Sequence, residues 1–171
     1  RYPPPAILSP TGKPLLSWRV ALLPYLGEEA LYREFRLDEP WNSEHNRALL
    51  DRIPAAFKGA FPYGGRTPFR IVTGQAAGFT ERAQQGPALA DFTAGPVQSV
   101  LVTEAFREVP WTRPESLKLI PEFPLPRMAD DDAYGFARVG GGQLLEGFYV
   151  LMADGKVRFF EKKTDLKTRR A

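Results

Sequence analysis

Apolar residues recur at intervals of three and four through the first third of the chain. From Leu15 to Leu26 they set Leu16, Val20 and Leu23 on one stripe. That spacing predicts an amphipathic helix with Trp18 and Tyr25 at its edges, bent or ended by Pro24. A second helix is predicted over Glu28 to Phe35, where Leu31 and Phe35 lie four apart and two glutamates suit the positive end of the helix dipole. Asn42 or Ser43 can cap a third helix carrying Ala48, Leu49 and Leu50, and Pro54 ends it, because the residue before a proline avoids the helical region. The period then changes. Phe69 to Val72 and Ser99 to Thr103 are short β-branched runs bounded by glycine or proline, which predicts strands at the centre of a sheet. Phe148 to Met152 and Lys156 to Phe160 flank Asp154-Gly155, a pattern that predicts an antiparallel hairpin closed by a two-residue type I′ turn. Thr164 or Asp165 can cap a last helix, and the proline-rich stretch from Pro110 to Asp132 reads as a long surface loop with a turn of helix after Thr112.

These elements make an α+β domain, with early helices followed by a small antiparallel sheet. The length of 171 residues and the 43% hydrophobic content suit one domain over residues 1–171 with a core of its own. Seventeen prolines and fifteen glycines, spread along the chain, favour many short elements joined by fixed turns. The net charge of +3 comes from scattered lysines and arginines, so nucleic acid is not implied as a partner. The C-terminal run Lys162, Lys163, Lys167, Arg169 and Arg170 reads as a solvated helix face. The absence of cysteine removes disulfides, thiolate nucleophiles and cysteine metal sites, without assigning a compartment. No apolar run reaches the roughly 20 residues of a membrane helix.

Candidate chemistry is sparse. The lone histidine, His45, falls on the first turn of a predicted helix, and neither a nucleophile elbow nor a phosphate-binding loop is present. Gly140-Gly141-Gly142 lacks the lysine and following helix of such a loop and reads as a turn. Asp130, Asp131 and Asp132 are candidate calcium ligands by residue type, but adjacent aspartates lack the alternate-residue spacing of an EF-hand, so an acidic solvated loop is the plainer reading. Asp38 and Glu39 read as turn and capping groups rather than a catalytic dyad. Trp41 and Trp111 lie in proline-rich turns and are the candidate ligand-binding residues, able to stack on sugar or peptide, with burial as loop anchors the competing expectation. The residues therefore suggest a non-catalytic domain without a cofactor. A carbohydrate- or peptide-binding module using exposed aromatics is the alternative, and an enzyme built on Asp38, Asp91 or Asp130 to Asp132 the third possibility.

Five stretches carry a resemblance. Leu16-Ser17-Trp18-Arg19-Val20-Ala21-Leu22-Leu23-Pro24-Tyr25-Leu26 is followed by Leu31-Tyr32-Arg33-Glu34-Phe35 and by Leu37-Asp38-Glu39-Pro40-Trp41-Asn42-Ser43. Together with Val109 to Glu115 and Gly147 to Phe159, they resemble planctomycete domain-of-unknown-function family 1559 (DUF1559) along nearly the whole chain. Members commonly carry a prepilin-type cleavage segment and one hydrophobic N-terminal helix, like pilins and pseudopilins. The resemblance thus implies a pilin-like globular head with long proline-rich loops, and Arg1-Tyr2-Pro3-Pro4 resembles the point just after the anchor helix. It also implies an extracytoplasmic location at the cytoplasmic membrane, with self-assembly or a secretion- or pilus-like machinery as partner. Two departures stand out. Tyr149 occupies a position where relatives typically have histidine, which removes any metal role for that side chain. Asp91-Phe92-Thr93-Ala94-Gly95-Pro96 keeps the family's aspartate and threonine but not its serine-asparagine pair, leaving a capping turn ahead of a strand.

Overall fold

The computed structural model describes residues 1–59, 64–74, 78–80, 83–118, 135–138 and 144–161. The stretch expected to be one helix from Leu15 to Leu26 is divided. Its beginning lies in strand β2 (Pro14–Ser17), which pairs antiparallel with β1 (Ala6–Leu8) through Ala6↔Ser17 and Ile7↔Leu16. Ser17 then acts as an N-cap, its Oγ accepting from the Arg19 N–H at 3.2 Å, and starts α1 (Trp18–Leu22). The chain tightens to a 3-10 turn over Leu23–Leu26, with Pro24 where an N–H is dispensable, and Gly27 closes it at φ 77°. Leu16, Val20 and Leu23 are nonetheless all buried, so the stripe is real although its first member sits on a strand.

The next two helices follow the expected pattern in shortened form. Helix α2 (Glu29–Glu34) buries Leu31, while Phe35 is extended and still buried. Ser43 caps α3 (Glu44–Arg47) by accepting from the Asn46 N–H at 3.2 Å. Ala48, Leu49 and Leu50 fall in the turns after it, and Pro54 precedes another 3-10 turn at Ala55–Phe57.

Six further strands form the sheet: β3 (Arg66–Thr73), β4 (Val100–Pro110), β5 (Leu117–Lys118), β6 (Gly135–Arg138), β7 (Leu144–Met152) and β8 (Val157–Glu161). Their order is β5-β3-β4-β7-β6, with β8 also on β7, and pairing is antiparallel except between β3 and β5. Phe69 to Val72 and Val100 to Thr103 therefore lie in the central strands β3 and β4, as the β-branched runs predict. The register Ile71↔Val102↔Leu151 lays one apolar row beneath the helices. On the other face Phe148, Val150 and Met152 form a second cluster with Val100 and Phe160. Pro68 cannot donate to the ladder. There the register shifts from Thr67↔Val109 to Phe69↔Glu104, so four residues of β4, 105–108, stand opposite Pro68 alone as a bulge.

The segment after Pro110 departs from the surface loop expected there. Trp111 and Thr112 are completely buried, no helix follows Thr112 among the described residues, and β5 adds a short parallel strand instead. Residues 119–132 of that segment and the predicted last helix lie outside the described residues. The hairpin is present, with Leu151↔Val157 and Val150↔Arg158, and Asp154-Gly155 stands at its tip. Its turn is longer than a type I′ pair. The Gly155 N–H donates to the Met152 carbonyl at 3.0 Å, the Met152 N–H donates to the Lys156 carbonyl at 2.9 Å, and Gly155 has φ 81°. This is a three-residue loop with a glycine bulge, favoured because the Ala153 and Asp154 N–H groups are drawn to the Ser99 and Pro96 carbonyls.

The main core collects Leu16, Trp18, Val20, Leu31, Phe57, Ile71, Phe92, Leu101, Trp111 and Ala153. Trp18 meets Phe57 edge-on at 5.9 Å, and Phe57 stacks on Trp111 at 6.1 Å. These rings bind the helical segment to the sheet.

Candidate functional site

The densest polar constellation is one that the sequence pattern leaves unannounced. Arg19, one residue past the start of α1, is completely buried. Its Nη1 donates to Ser17 Oγ at 2.7 Å and to the Trp111 carbonyl at 3.2 Å, and its Nη2 donates to the Phe69 carbonyl. The guanidinium also lies 4.8 Å over the Trp18 ring. One side chain thereby joins α1, β3 and the turn after β4. Burial, reinforced by the Arg70 cation and opposed by Glu115, lowers its pKa to about 9. Arg70, buried on β3, donates to Glu115 Oε1 and to the Arg107 carbonyl of the bulge, both at 2.8 Å. Arg113 Nε lies 2.9 Å from Glu115 Oε2. Three arginines against one glutamate tie helix, strand, bulge and turn together, and half of these polar contacts end on the backbone carbonyls of Trp111, Phe69 and Arg107. Helical periodicity assigns Arg19 to a polar flank; only its place between a capping serine and the core residue Val20 hints at burial.

Glu104 is a second group that the sequence did not single out. Its Oε2 accepts the Tyr149 N–H at 2.9 Å, and burial raises its carboxyl above the ordinary value, an effect this hydrogen bond tempers. It thus adjoins the position where the family resemblance has histidine. Tyr149 itself packs on Phe159 at 5.0 Å.

The candidates from sequence are dispersed. Trp111, proposed for ligand stacking, is completely buried, with Nε1 donating to the Leu50 carbonyl at 2.9 Å and Phe35 edge-on at 5.7 Å. It is an anchor and presents no face to a ligand. Trp41 is half-buried against the main core, and Arg113 lies 5.7 Å over its ring. Asp38 is exposed, whereas Glu39 pairs with Arg36 at 2.9 Å, and hydrogen bonding from Ser43 and then Arg36 holds its carboxyl below the ordinary value. His45 Nε2 makes a 2.7 Å hydrogen bond with the Glu34 carbonyl. Asp91 accepts the Ala88 N–H at 2.8 Å, the capping turn expected of its segment. Asp130, Asp131 and Asp132, the glycine triplet and the C-terminal basic run lie outside the described residues. Among the described residues no group of three His, Cys, Asp or Glu could hold a metal ion, and no helix is long and apolar enough to cross a membrane.

Apolar exposure is more concentrated. Tyr25 is 83% and Leu26 43% exposed, together on the 3-10 turn after α1. Val157 at 64%, Leu89 at 53% and Val97 at 49% belong to the hairpin and the loop before β4. That loop is tied to the hairpin tip by the Pro96 carbonyl, which accepts the Asp154 N–H at 3.1 Å. Tyr2 links the same parts, its N–H donating to the Pro87 carbonyl at 2.9 Å and its hydroxyl to the Ala153 carbonyl at 2.7 Å.

A family model described as "Protein of unknown function (DUF1559)" matches residues 1–58. The match is narrower than the resemblance read along the chain, and it spans the segment that supplies β1, β2, α1, α2 and α3. A search of curated proteins finds no match. A search of solved structures finds none either. Through its first 58 residues, which include the capping Ser17, the buried Arg19 and the projecting Tyr25, the chain is similar to the DUF1559 family of unknown function.

Proposed function

We propose that this chain is the non-catalytic, pilin- or pseudopilin-like head of an extracytoplasmic protein, tethered to the cytoplasmic membrane by a helix upstream of residue 1 and acting through its surface in assembly. The observation that carries the reading is the placement of Tyr25. A large aromatic, 83% exposed, stands on a turn fixed by Pro24 on one side and by Gly27 at φ 77° on the other. A rigidly presented aromatic loses little conformational freedom on docking, which suits a contact residue. Two further features support the reading. His45, Glu39 and Asp91 are engaged in caps and ion pairs, and the family resemblance links the first helices to prepilin-type proteins.

An assay panel tests the non-catalytic part. Purified chain is expected to hydrolyse ester, peptide, glycoside and phosphate substrates no faster than background. Turnover abolished by Asp91→Ala, with circular dichroism unchanged, would overturn it.

A further inference from the structure

A row of four side chains crosses the sheet outside both cores. The register pairs Phe69 of β3 with Glu104 of β4, and Tyr149 of β7 with Phe159 of β8. The Tyr149 N–H joins the two pairs by donating to Glu104 Oε2 at 2.9 Å. By strand alternation the four share the face of Ile71, Val102 and Leu151, two residues further along their strands. All four are half-buried, and among the described residues none of the three rings packs on either core cluster. Gly147 shapes the space beside them. A Cβ there would collide with the Phe159 ring, which lies over the strand and meets Tyr149 at 5.0 Å with the ring planes 56° apart.

Glu104 is the charge in this row, and no cation offsets it. Oε2 is engaged by a neutral N–H; among the described residues Oε1 has no hydrogen-bond partner, and it is not among the fully buried polar atoms, so water reaches it. Burial raises its pKa and the Tyr149 N–H lowers it, with no charged neighbour contributing. The arginines nearest in register are turned away: Arg70 pairs with Thr103 and Arg158 with Val150, a row on the opposite face. Arg19 is committed to oxygens of Ser17, Trp111 and Phe69.

We propose that this row is a binding site for an organic cation, an alkylammonium or guanidinium group held by Glu104 Oε1 against the rings of Phe69, Tyr149 and Phe159. A desolvated carboxylate without a counter-charge is costly, and a bound cation offsets that cost. Aromatic faces attract the same ligand through their negative quadrupole. A neutral hydroxyl donor would leave the charge uncompensated, so a sugar fits this row less well. A free amine and a lysine or arginine side chain of a partner share the required chemistry. The site does not draw on the assembly reading above.

Titration of the isotope-labelled chain with n-butylammonium chloride at neutral pH, followed by amide NMR, tests this. The Tyr149 amide, which is bonded to Glu104, should shift saturably, and the neutral isostere n-butanol should give no saturable shift. Glu104→Gln should weaken n-butylammonium binding by about tenfold, the loss of a charge-assisted hydrogen bond. Tyr149→Leu keeps the N–H and removes the ring, and should weaken it by about threefold. Asp38→Asn, at an exposed carboxylate outside the row, should leave it unchanged. N-acetyl-lysine methylamide separates the sources: binding tighter than n-butylammonium assigns the cation to a protein side chain, equal or weaker binding to a free amine, and both agree with the site. The absence of a saturable Tyr149 shift would overturn the proposal. So would n-butanol binding as well as n-butylammonium, undiminished binding to Glu104→Gln, or a loss in Asp38→Asn equal to that in Glu104→Gln.

Discussion

Glu104 is the described carboxylate whose environment most opposes its charge. Burial raises its pKa above 4.5, and the Tyr149 N–H offsets only part of that. The folded chain therefore holds this proton more tightly than the unfolded chain does. Stability from this group is gained as pH falls through the raised value toward 4.5 and is absent at neutral pH. Glutamine can still accept from Tyr149 and carries no charge. Glu104→Gln should thus be at least as stable as wild type at pH 7, with wild type gaining relative to it on acidification; a difference in melting temperature that does not change with pH would contradict the assignment. Sequence reading reached other residues unevenly. The Ser43 cap and the stripe of Leu16, Val20 and Leu23 were legible because local hydrogen bonding and periodicity set them. Trp111 was ambiguous, since a proline-rich turn gives no sign that Phe57 and Phe35 lie on either side of it. Arg19 and Glu104 were barely legible, because the Trp111 and Phe69 carbonyls and the Tyr149 N–H that engage them lie far along the chain.

At the level of elements, the buried Arg19 is the joint between α1, β3 and the turn after β4. The Phe69 and Trp111 carbonyls both depend on it. Arg19→Met keeps much of the apolar stem but leaves the buried Trp111 carbonyl and the partly buried Phe69 carbonyl without that donor, at about 1–3 kcal/mol each with the lower end for Phe69. Relief of the desolvated cation returns part of this. A net loss of about 2–4 kcal/mol is expected in urea unfolding, and an unchanged midpoint would show that the joint carries no weight. Element type was legible wherever one signal dominated, as in the hairpin, β3 and β4. Boundaries failed where two signals met. Leu15 and Leu16 fit a helical stripe, yet β1 offers them a strand partner and Ser17 starts the helix later. The bulge opposite Pro68 follows from a missing N–H, but its size depends on Arg66 and Arg70 binding the Glu108 and Arg107 carbonyls, contacts that no local pattern encodes.

For the whole molecule, the polar interior consists of joints and caps, while apolar exposure is greatest at Tyr25 and Val157. That distribution supports the proposed role in contact and assembly. The α+β class was legible from the order of periodicities, but the sheet is larger than the early pattern suggested and gains the parallel strand β5. The exposure of Tyr25 was not legible, because periodicity placed it at the edge of a buried stripe and could not show that the 3-10 turn swings it outward. The most direct test of the proposed role uses the full-length protein in cells, with a photoreactive phenylalanine analogue at position 25 and, as a control, at the exposed Ala30 of α2. Irradiation should join position 25, and not position 30, to a second copy or to an extracytoplasmic assembly component. Equal labelling at both positions, or a cytoplasmic protein captured at position 25, would contradict it.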